Sequence, residues 1–117
     1  MRRLLLTAVG AVLLTGCAAN EPMYHWGSYQ DLVLNMYVKP DEATPQVQIE
    51  KLTADIQTAE ATGKKVPPGV FTHLAMMYSA AGQPDMAAEA LSKEKERYPE
   101  SSTLINTLIS NQKGAQK

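Results

Sequence analysis

The chain has 117 residues, 44% of them apolar, with a formal net charge of −1 and one cysteine. That is room for one compact domain, and a single cysteine excludes an internal disulfide. The near-neutral charge argues against nucleic acid as a partner and against electrostatic docking on anionic lipid.

Residues 1–16 read as a lipoprotein signal peptide. Arg2 and Arg3 precede an apolar run from Leu4 to Leu14, a basic stub and apolar stretch typical of export signals. The run is too short to span a hydrocarbon core, which needs about 20 helical residues. Leu14-Thr15-Gly16-Cys17 forms a lipobox, with small residues before the cysteine that takes up a diacylglycerol group. Two or three acyl chains, palmitate among them, make a lasting anchor where one binds only reversibly. Cys17 is therefore the expected lipidation site, and this covalent lipid is the only prosthetic group expected. Ala18 is not the aspartate that commonly marks inner-membrane retention in Gram-negative lipoproteins, so the expected location is the periplasmic side of the outer membrane. Removing 16 residues from 117 leaves 101, with nine basic against twelve acidic side chains.

After a tether over residues 17–23, an all-α domain is expected over residues 24–112, followed by a disordered tail at 113–117. Tyr24-His25-Trp26-Gly27-Ser28-Tyr29 is a dense aromatic cluster, read either as a docking surface through Tyr24 and Trp26 or as a lid folded over the core. Ser28 is expected to cap a first helix over 29–38, with Tyr29, Leu32, Val33, Met36 and Tyr37 on its apolar face. A second helix over 45–62 carries Val47, Ile49, Leu52, Ile56 and Ala59, and Gly63 fits its C-terminal cap. No alternating run of β-branched residues suggests a sheet.

The sharpest pattern lies between Pro68 and Ser101. Phe71, Leu74, Ala75 and Tyr78 recur at one helical face. Gly82 ends that helix, and Pro84 opens the next with Asp85 complementing its dipole. Ala87 and Leu91 pack the returning face, and Pro99 stops it. These offsets resemble one tetratricopeptide repeat, a helical hairpin of about 34 residues. The departure is Glu94, where such a hairpin usually has a small residue; an ion pair with a nearby lysine or arginine is expected there. A last helix capped by Ser101 or Ser102 carries Leu104, Ile105, Leu108 and Ile109 on one side and covers the end of the repeat. The fold class is thus a small bundle of about five helices. In a tetratricopeptide hairpin the first helix lines the concave side between its packing residues, here at Thr72, Met76 and Ser79. That strip is a candidate partner-binding surface, unless the first two helices fill the groove.

The segments Tyr24, Trp26, Gly27, Tyr29 and Pro67, Pro68, Gly69, His73, Leu74, Tyr78, Gly82, Ala88, Glu94, Lys95, Pro99, Glu100, Ser101 resemble a family of short bacterial lipoproteins catalogued as a domain of unknown function. The resemblance spans nearly all of the mature chain. It implies a gene neighbourhood with a lipoprotein similar to the curli secretion channel and another small lipoprotein. An accessory part of an envelope complex is the implied role, with those lipoproteins as partners.

No catalytic constellation stands out, and no metal site is expected. His25 and His73 lack metal-ligand spacing and a cysteine companion. His73 is expected at the hairpin surface or in a small hydrogen-bond network, and Met76, Met77 and Met86 as core fillers. Three functions follow: a non-catalytic interaction subunit of an envelope complex, a pilotin-like chaperone for an outer-membrane pore or secretion subunit, and a cell-wall hydrolase. The first is the leading expectation, because the third lacks any paired-carboxylate signature and the second usually employs several repeats.

Overall fold

Proline and glycine cut the chain into helices of defined length. The computed structural model describes residues 20–115; the expected leader, Cys17 and residues 116–117 lie outside them. Among the described residues five α-helices follow one another: α1 (Tyr29–Val38), α2 (Pro45–Ala61), α3 (Val70–Ala80), α4 (Pro84–Arg97) and α5 (Ser102–Ala115). A 3-10 turn over Pro99–Ser101 joins the last two. Among the described residues the β pairing is a single parallel bridge between Tyr24 and Lys65. The protein is a small all-α bundle.

The boundaries have local causes. Pro45 occupies the first turn of α2, and the Thr44 hydroxyl accepts from the Val47 N–H at 3.4 Å. Gly82 takes φ +73° beyond the end of α3. Its N–H bonds the Ser79 carbonyl and that of Gln83 bonds the Tyr78 carbonyl, the paired closure of a Schellman cap. Pro84 then starts α4, so α3 and α4 turn back on each other across three residues. Small side chains at Ala75, Ala87 and Ala90 let the two helices approach, and Phe71, Leu74 and Leu91 fill the seam. Leu52 and Ala59 from α2, Val66 from the following linker and Ile105 from α5 complete the core with Leu32 of α1.

Several faces differ from the periodic expectation. On α2, Gln48 is buried and Val47 faces out, because Gln48 finds polar partners inside. On α1 only Leu32 is fully buried, while Tyr37 is 81% exposed and Met36 is also outside the core. On α5, Ile105 enters the core but Leu104 is 58% exposed. Met77 is buried, whereas Met76 and Met86 are exposed and fill no core. Ser28 does not cap α1 with its side chain; it turns to Asp55 instead. Ser102 donates its hydroxyl back to the Pro99 carbonyl. Helix α5 continues to Ala115, past residue 112.

Candidate functional site: a groove over a buried polar chain

The aromatic segment before α1 is a strap laid on the rest of the bundle. The His25 N–H donates to the Lys65 carbonyl and the Lys65 N–H to the Met23 carbonyl, each at 3.0 Å. Asp55 of α2 holds the other end: its Oδ2 accepts from the Ser28 N–H at 2.9 Å and from the Ser28 hydroxyl at 2.7 Å. Gly27 adopts φ +49°, and a Cβ there would overlap the Asp55 carboxylate. Both the backbone angle and the close approach therefore require glycine. Trp26 packs between Tyr24 and Tyr29, with ring centroids 6.4 and 5.9 Å away. The ring remains partly exposed, so Tyr24 and Trp26 form an aromatic rim on the strap.

Tyr29 connects this strap to the interior. Gln48 Nε2 donates to the Ala43 carbonyl at 2.8 Å, which turns its amide oxygen toward His73. That oxygen lies 2.7 Å from His73 Nε2, and the Tyr29 hydroxyl lies 3.3 Å from Nδ1. With the Gln48 oxygen an acceptor, Nε2 carries the proton and Tyr29 donates to Nδ1. Three helices are linked by one chain of polar groups. Burial lowers the His73 pKa, which favours this neutral ring. Tyr29 is raised, first by burial and then by the negative charge of Glu94. Both His73 nitrogens are engaged, leaving neither a lone pair nor a proton free for a substrate.

Above this chain runs an open groove of about 350 Å³. Tyr29, Val33 and Met36 of α1 form one wall, Gly69, Thr72, His73 and Met76 the α3 side, and Ser101 and Leu104 the far end. Glu94 of α4 also lines it, although only 1% of the residue is exposed. Instead of an ion pair, its Oε1 accepts from the Gly69 N–H at 2.6 Å, at the start of α3. A carboxylate is well placed at the positive end of a helix, so a packing position can hold an acid.

Thr72 is half-buried in the groove and Met76 is 54% exposed along it. Ser79 is exposed and is not among the lining residues, and Tyr24 and Trp26 belong to the strap rather than to the groove. Helix α1 flanks the groove without filling it. Of the hairpin signature, Phe71, Leu74, Ala75, Ala87 and Leu91 are buried, Tyr78 is partly so, Gly82 caps α3 and Pro99 follows α4. Val33, Met36, Leu104 and Glu94 are groove residues that the sequence pattern assigned to packing. Only Glu94 carried a signal, as the acid in a small residue's place. Among the described residues no group of three or more His, Cys, Asp or Glu side chains is placed to hold a metal ion.

No curated protein and no solved structure matches the chain. One family does, the "Domain of unknown function (DUF4810)", over residues 23–108, from the base of the strap into α5. By that match, which takes in the strap, the hairpin and every wall of the groove, the protein belongs to the DUF4810 family.

Proposed function

We propose that this protein is a lipoprotein, anchored through a lipid on Cys17 at the periplasmic face of the outer membrane, that serves as a non-catalytic accessory subunit of a cell-envelope complex. The observation that carries the interaction role is the groove: about 350 Å³ of open, mainly apolar space flanked by Thr72 and Met76. Read as a tetratricopeptide hairpin, α3 and α4 turn that strip toward a concave, partner-facing side. Leucine and methionine left exposed along a groove offer anchors for a partner's side chains. Other envelope lipoproteins, including a subunit like the curli secretion channel, are the proposed partners. The anchoring role rests on the lipobox at Leu14–Cys17.

Two measurements test the halves separately. Cys17→Ser should accumulate as unprocessed precursor that takes up no labelled palmitate; normal processing and membrane retention would refute the anchor. Met76→Lys, placed at an exposed position, should stay folded and lose partners in a crosslinking pull-down from membranes. A folded Met76→Lys protein that keeps every partner would refute the groove as the interaction surface.

A further inference from the structure

Glu94 is half satisfied. Its Oε1 takes the Gly69 N–H, but Oε2 has no hydrogen-bond partner and is sealed from water-sized contact. A buried carboxylate oxygen without a donor costs free energy that folding alone does not recover. The cations nearest in sequence are committed elsewhere. Lys93 pairs with Glu89 at 2.8 Å, Arg97 with Glu60 at 2.8 Å, and Lys95 reaches Asn106 at 3.3 Å. The protein thus places an acid under an apolar groove and directs its own bases outward.

We infer, building on the groove as the partner surface, that it receives a segment presenting one arginine or lysine between apolar residues, with the cation at Glu94. Glu94 supplies the charge complement, and a charge-assisted bond to Oε2 completes the carboxylate. The Tyr29 ring lines the same groove and offers a cation an aromatic surface, while its hydroxyl is spent on His73. Val33, Met36, Met76 and Leu104 take the flanking apolar side chains. Oε2 is covered, so the entering head group must displace what lies over it. The lining includes Met36 and Met76, unbranched side chains that adapt to an entering group. An anionic segment would meet Glu94 with no compensating base in the groove.

The test uses the full chain in detergent micelles with 13C-methyl methionine, titrated with two end-blocked tripeptides, Leu-Arg-Leu and the neutral Leu-norleucine-Leu. Met36 and Met76 report from the groove, and Met86, which lies on a different surface depression, serves as control. The arginine peptide should shift Met36 and Met76 saturably and bind about tenfold more tightly than the neutral one. Added salt should erode that preference, and Glu94→Gln should abolish it. Equal binding of the two peptides to the wild type would overturn the cation assignment while leaving the groove as a partner surface. That comparison requires no variant, so it decides even if Glu94→Gln misfolds. Failure of both peptides to move Met36 or Met76 would also overturn it, as expected if Oε2 only holds a buried water. The Met76→Lys pull-down then judges the broader proposal independently.

Discussion

His73 is buried as an acceptor-donor link, with Tyr29 on one nitrogen and Gln48 on the other. Protonating the ring would place a second N–H against the Tyr29 hydroxyl and a charge in a site that burial makes hostile to it. In the unfolded chain the ring titrates near 6.5; in the folded protein its pKa is lower. Stability from this group is therefore complete above about 6.5 and is lost as pH falls below it toward the folded value, because there the unfolded chain binds a proton that the native chain refuses. The melting temperature should be level from about pH 8 to 7 and fall toward about pH 5. In His73→Gln the slope of that fall should shrink. An unchanged slope would assign the effect to other groups.

At the scale of the element, the face a helix buries decides what a substitution costs. Leu74 is buried in the α3–α4 seam, whereas Leu104 of α5 is 58% exposed at the end of the groove. Leu74→Ala should cost about 2–4 kcal/mol in urea unfolding, as large-to-small changes in a core do. Leu104→Ala should stay within about 0.5 kcal/mol, as exposed substitutions usually do. Equal losses would mean the two faces are wrongly assigned. Helix ends were legible in the sequence because Pro45, Pro84, Pro99, Gly63 and Gly82 act locally. Helix faces were legible only where burial is apolar, as along Phe71, Leu74, Ala87 and Leu91. Periodicity counts apolar side chains and is blind to hydrogen bonding, so it placed Val47 inside where Gln48 belongs. Gln48 is buried because His73 and the Ala43 carbonyl satisfy it, partners distant from it in sequence or supplied by backbone. The same blindness applies to the groove. Thr72 and Met76 could be read from the spacing of one helix, but Val33, Met36, Leu104 and Glu94 reach it from three other helices.

For the whole molecule, the linker between α2 and α3 is the hub. The strap bonds Lys65 from one side. From the other, the Tyr98 hydroxyl donates to the Val66 carbonyl at 2.5 Å and Glu94 accepts from Gly69. The linker's Val66 and Pro67 are themselves buried. Helices α2, α3 and α4 thus share one core with the linker locked into it. Helix α1 is attached differently. It fully buries Leu32 alone and leaves Leu34, Tyr37 and Val38 exposed. Its anchors lie at its start, through Ser28 to Asp55 and Tyr29 to His73. A segment with few buried contacts opens at lower free energy than the global transition. Amide hydrogen exchange should therefore be slowest in α3 and α4 and fastest, among α1 to α4, in α1, with its C-terminal half leading. Since α1 carries Val33 and Met36, it is the groove wall able to yield to an entering side chain. Saturating the groove with the arginine tripeptide should slow exchange across α1 and leave α3 and α4 nearly as before. If the amides of α1 exchange as slowly as those of α3 without any ligand, α1 is part of the cooperative core and the groove has rigid walls on both sides.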